Sequence, residues 1–109
     1  MAEKNRLRKN KEFDEVFKKG RGFKKDFLIL KFIGKSSGEN RIGFIVSKKV
    51  SNKAVVRNKV KRRLRDLARK KMLAGRADIV LIALPGIGLK TFPEVEKNLE
   101  DLLLKAKMQ

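Results

Sequence analysis

Apolar residues recur along this chain with two periods, and the changes of period mark out its elements. Between Asn10, a candidate N-cap, and Gly20, a candidate stop, Phe13, Val16 and Phe17 fall at helical spacing and predict a short helix with an aromatic stripe. From Phe27 to Ile33 the run FLILKFI is rich in strand formers, the polar KSSGEN makes a turn, and Arg41 to Ser47 alternates as a second strand. The two are expected to pair as a hairpin. In the second, Ile42, Phe44 and Val46 share one face, while Gly43 on the other leaves room for a ligand backbone to come close. RGFK, just before Phe27, is a candidate edge strand. Residues 1–9 are basic and aperiodic and read as a frayed arm.

Ala54 to Gly75 predicts a long helix with two incompatible faces. At about 100° per residue, Val56, Val60, Leu64, Leu67 and Ala68 fall on one arc, and Asn58, Lys61, Arg62, Arg65 and Arg69 on the opposite one. Ala77 to Leu84 follows as a nearly continuous apolar strand, the pattern of one buried on both faces. Strand, long helix, buried strand implies a crossover with the two strands parallel. Pro85-Gly86-Ile87-Gly88 breaks the pattern. Thr91 to Glu94 fits a capping box, and Phe92, Val95, Leu99, Leu102, Leu103 and Ala106 stripe a final helix that ends near Lys107. The order α-β-β-β-α-β-α makes an α+β sandwich, one central sheet with helices packed on it. With 109 residues, the chain (1–109) has room for one domain and not two.

Charge sharpens this picture. Thirty Lys and Arg against 12 Asp and Glu leave a formal net charge of +18, a field that gathers polyanions. In the long helix Asp66 is the only acid among Arg57, Lys59, Lys61, Arg62, Arg63, Arg65, Arg69, Lys70 and Lys71, a density that repels itself without an anion alongside. A merely solubilising face would explain the lysines. It explains less well an excess of arginine, suited to bidentate phosphate contact, or Asn58 in mid-arc, whose amide can bond a base or ribose edge. Nucleic-acid contact by this face is the expectation. Phe13 and Phe17 fit either a core or a wall for unpaired nucleotides, and a groove lined by them and the basic helix is where a single strand would lie.

Other chemistries are poorly supplied. Histidine, cysteine and tyrosine are absent, which removes the commonest acid, base and nucleophile groups and any thiolate metal site. The carboxylates are scattered, and no Walker loop, zinc spacing or dinucleotide loop occurs. No run of about 18 apolar residues and no signal-peptide core is present, so a cytoplasmic protein without a membrane partner is expected. A ribosomal or DNA-binding protein would share the basic helix. DNA binding by a turn and recognition helix fits poorly, because strands flank this one. A protein-only nuclease is the least favoured alternative.

Ser47-Lys48-Lys49, Ala54 and Arg57-Asn58-x-x-Lys61-Arg62-x-x-Arg65 together resemble the signature of the bacterial ribonuclease P protein subunit, and the element order is similar across nearly the whole chain. The resemblance implies a protein without its own catalytic residues, a cofactor of a large catalytic RNA that uses Mg²⁺ to free the mature 5′ end of precursor tRNA. It implies one protein per RNA and a left-handed crossover around the central helix, in a fold akin to a ribosomal-protein domain. Lys48, Lys49, Arg57, Asn58, Lys59, Lys61, Arg62 and Arg65 match motif positions expected on the catalytic RNA, and Arg69 extends their arc. Phe13, Phe17, Leu30 and Ser47 match the cleft that holds the precursor's 5′ leader. Lys59 stands where the family often has Arg, and Leu30 where it often has an aromatic. Alternation leaves open which face of the Phe27–Ile33 strand meets RNA, since Lys31 shares a side with Phe27 and Ile29.

Overall fold

The computed structural model describes residues 6–7, 9–35, 38–71 and 76–106. It contains α1 (Asn10–Lys19), β1 (Arg21–Lys25), β2 (Leu28–Gly34), β3 (Arg41–Ile45), α2 (Ala54–Lys71), β4 (Ala77–Ala83) and α3 (Phe92–Lys105), with a 3₁₀ turn at Ile87–Leu89. The strands form one mixed sheet in the order β1-β2-β4-β3. β1 is the edge strand expected from RGFK, and β3 and β4 are parallel, as the crossover requires.

The expected hairpin between the second and third strands does not form. β4 lies between them, antiparallel to β2 from Leu28↔Ala83 to Gly34↔Ala77. The reason is burial: six of the seven β4 residues are buried, and a strand so apolar on both faces is stable only at the sheet's centre. The true hairpin joins β1 to β2 through a two-residue turn, where Asp26 takes a left-handed φ of 50°, a conformation short polar side chains tolerate.

Alternation then divides the core. Leu28 and Leu30 of β2, Ile42 of β3 and Ile79 and Leu81 of β4 face a main core closed by Val60, Leu64 and Leu67 of α2 and Leu99, Leu102 and Leu103 of α3. The opposite face carries Val80, with Ile33, Ile45 and Ile82 half-buried, and receives Val16, Phe13 and Phe17 of α1. A ten-residue helix covers only part of that face, so those isoleucines stay partly open.

The helix ends follow their caps. In α3, Thr91 Oγ1 accepts the Glu94 N–H (3.3 Å) and the Thr91 N–H donates to Glu94 Oε1 (3.1 Å), the expected capping box. The bonds that the Thr91 N–H and hydroxyl donate to Glu94 Oε1 hold that carboxyl below its usual range. In α1 the cap is Lys9 and not Asn10, because the Glu12 carboxylate reaches back to the Lys9 N–H at 3.0 Å. The expected frayed arm is also partly docked: the Leu7 N–H donates to the Ile42 carbonyl (3.1 Å), and Leu7 is buried. The expected ends of the central helix at Gly75 and of the last helix near Lys107, and part of the KSSGEN turn, lie outside the described residues.

Candidate nucleic-acid interface

The two faces of α2 separate as their spacing demands. Val60, Leu64, Leu67 and Ala68 are buried and Val56 is half-buried, while Asn58, Lys59, Arg62 and Arg69 are exposed. Lys61 and Arg65 are half-buried, because they flank the cleft between α2 and β3. Two other arginines are partly committed to the fold. Arg57 Nη1 donates to the Ser51 carbonyl (2.9 Å) and Arg63 Nη1 to the Lys90 carbonyl (3.3 Å), fastening both flanking loops to the helix. Arg69 pairs with Asp66 at 2.9 Å on the exposed surface.

The basic connection into α2 is folded tightly. Ser47 Oγ accepts the Lys49 N–H (3.3 Å), the Val50 N–H closes a turn on the Ser47 carbonyl (3.0 Å), and Ser51 Oγ accepts the Lys53 N–H (3.1 Å). Ser47, Lys48 and Lys49 are exposed on this turn.

On the α1 side, Phe13 sits on β3 so closely that a Cβ at Gly43 would lie 2.4 Å from its ring, a distance no side chain can occupy. Gly43 thus admits an aromatic ring of the chain itself, where the sequence had pointed to a ligand backbone. Phe17 packs further along, with Lys31 Nζ 5.5 Å from its ring centroid. Phe13 and Phe17 therefore share one sheet face. Leu30 does not join them: it is fully buried in the core under α2 and α3. Period-two alternation fixes this, because Ile29, Lys31 and Ile33 point towards α1 and Leu28, Leu30 and Phe32 point away. Lys31 is the strand's polar contribution to the α1 face.

The pose of α1 is set by charge. Arg41 of β3 donates from Nε to Asp78 Oδ1 (2.9 Å) and from Nη2 to Asp78 Oδ2 (2.7 Å), and its Nη1 bonds Glu12 of α1. Lys35 Nζ also lies 3.0 Å from Asp78 Oδ1. Burial raises the Asp78 pKa, but the hydrogen bonds from Arg41 and Lys35 outweigh it and leave the carboxyl below its ordinary value. Nothing in the linear pattern signals this cluster, whose members lie far apart in the chain. Arg6 and Leu7 also went unnoticed, since two residues carry no period.

These features define a class: a small, strongly basic α+β domain with a cation-bearing helix beside an aromatic-lined sheet face. The Ribonuclease P family profile matches residues 1–107. The ribonuclease P protein components of Syntrophomonas wolfei and Alkaliphilus metalliredigens are 38% and 39% identical to this chain, over 97% and 99% of it and 90% and 98% of their own lengths. The structure of the Staphylococcus aureus RNase P protein superposes with a TM-score of 0.85 at 30% identity, covering 95% of this chain and 96% of that one. The Thermotoga maritima RNase P protein gives 0.81 at 28%, covering 92% and 96%. The chain belongs to the ribonuclease P protein family. It is accordingly a protein component of a tRNA-processing endoribonuclease and a partner of RNase P RNA.

Proposed function

We propose that this protein serves a catalytic RNA as a cationic, leader-binding cofactor. The exposed face of α2 (Asn58, Lys59, Arg62 and Arg69, with Lys61 and Arg65 at its margin) and the Lys48–Lys49 turn contact RNase P RNA. The 5′ leader of precursor tRNA lies on the α1 face of the sheet, along Phe17, Lys31 and Ser47, with Phe13 at its end. Leu30 is left out of that surface by its burial.

The observation that carries this reading is the one-sidedness of α2, whose apolar arc is spent on the core while its basic arc has little acid beside it. Two polyanions that must meet repel each other, and a cation-rich wedge lowers that cost while the sheet face adds affinity for an unpaired strand. Many carboxylates are already engaged: Asp78 with Arg41, Glu96 and Glu100 with Lys71, and Asp101 with Lys25. Bond cleavage is therefore assigned to the RNA and the Mg²⁺ it binds, with one protein per RNA, in the cytoplasm.

The test is reconstitution with a bacterial RNase P RNA and a precursor tRNA carrying a short leader, at low Mg²⁺ and moderate salt. Cleavage at the mature 5′ end should need both protein and RNA. Phe17→Ala should weaken binding of leader-bearing precursor about tenfold, as expected for one lost base stack, without changing affinity for mature tRNA. Arg62→Ala should instead weaken affinity for the catalytic RNA. Tight RNA binding that never restores cleavage would hand the protein to a general RNA-binding role.

A further inference from the structure

At the outer edge of β3 the chain leaves a cleft of about 240 Å³ between the docked N-terminal residues, α1 and α2. Among the described residues, three cations line it, Arg6, Lys61 and Arg65, and no carboxylate does. One of their donors is conspicuous: Arg65 Nε is buried and has no hydrogen-bond partner among the described residues. A buried guanidinium N–H without an acceptor is rare in a finished fold and points to a missing anionic or carbonyl oxygen.

The strand edge supplies a second set of polar groups. Ile42 turns its carbonyl outward to the Leu7 N–H, so Phe44, two residues on, turns its own N–H and C=O to the same side. Among the described residues, pairing on that edge consists of the single bridge between Arg6 and Ile42. The Phe44 peptide thus offers a donor and an acceptor side by side to the cleft. The walls are aromatic, with the Phe13 ring over Gly43 and the half-buried Phe44 side chain.

We propose that this cleft is a site for one unpaired ribonucleotide. Its phosphate lies on the guanidinium of Arg65 with Lys61 and Arg6, its base edge pairs with the Phe44 peptide, and its base face rests on Phe13. A cleft of this size admits a single residue and excludes a duplex. The inference rests on the function proposed above and deepens it, because the cleft joins Phe13 of the leader surface to Lys61 and Arg65 of the catalytic-RNA surface. Either RNA can supply the nucleotide, and the experiment separates the two.

The experiment is chemical probing of base edges at nucleotide resolution, on both RNAs, in the reconstituted complex. Wild-type protein should protect one unpaired nucleotide, and its place in the leader or in the catalytic RNA names the source. Arg65→Gln and Arg65→Lys should both expose it and weaken binding about tenfold, because an ammonium cannot replace the buried Nε–H. Arg21→Lys, exposed on β1 at the opposite edge of the sheet, should leave the protected position unchanged. Arg65→Lys that behaves like wild type, or protection lost equally in all three variants, overturns the proposal in favour of general charge. Ultraviolet crosslinking of the wild-type complex needs no variant: a nucleotide attached at Phe13 or Phe44 supports the site, and attachment only elsewhere refutes it. Intact cleavage with no protected nucleotide would sink the cleft alone, whereas absent cleavage would sink the cofactor role.

Discussion

Asn98 is nearly fully buried in the middle of the apolar face of α3, where the stripe of leucines gave no reason to expect an amide. Its Oδ1 accepts the Phe27 N–H and its Nδ2 donates to the Lys25 carbonyl, both at 2.8 Å. One side chain thus satisfies both ends of the β1–β2 turn and fixes that hairpin to the last helix. Asn98→Ala leaves two backbone groups without partners and should cost about 2 kcal/mol. Asn98→Asp keeps the acceptor and loses the donor, so urea unfolding should place it between the two; equal stability of all three proteins would remove this role. Leu30 teaches a related lesson. Alternation told which residues share a face, but not which face the helices would cover. That was decided by α2 and α3 together presenting far more apolar surface than the ten residues of α1, so Leu30 went to the larger core and Lys31 to the aromatic side.

At the scale of elements, the helices and the parallel pair were legible because their periods are strong, and α3 also because its capping box is conventional. Strand order was not. A polar Gly-containing turn between two strands reads locally as a hairpin, and only the competition for the sheet's centre, won by β4, overrules it. The clamp holding α1 to that sheet was equally invisible, since Glu12, Arg41 and Asp78 meet only after folding. It makes a pH prediction. The native Asp78 carboxyl titrates below its ordinary value of about 3.9, so its contribution is fully present above that value and is lost as pH falls through the lower native one. Asp101, lowered by its bonds from Lys25 and Lys97, acts in the same direction. Asp78→Asn should therefore destabilise the protein by about 2 kcal/mol at neutral pH, less than a fully buried pair because Arg41 stays about one-third exposed. The gap from the parent should close as pH drops below about 4. A gap that stays constant from pH 7 to pH 3 would show that the charge of Asp78 is not what matters.

The whole molecule carries a net charge of +18 on 109 residues, and this sets function against stability. Among the described basic residues of α2, Lys59 and Arg62 are exposed and lie amid other cations, so each raises the self-repulsion of the free protein. Salt with a Debye length of about 10 Å at 0.1 M screens that repulsion, and the free protein should melt at a higher temperature as salt is added. The same salt should weaken its grip on RNA, because displaced counterions drive that association. Arg62→Gln separates the two effects. It should stabilise the free protein by a few tenths of a kcal/mol at low salt, the usual worth of relieving a like-charge neighbour on a helix. It should also lower affinity for RNase P RNA and reduce the slope of log K against log salt by about one. A variant that loses stability and affinity together would mean that Arg62 braces the fold, and the basic arc of α2 would then have to be narrowed to Asn58, Lys59 and Arg69.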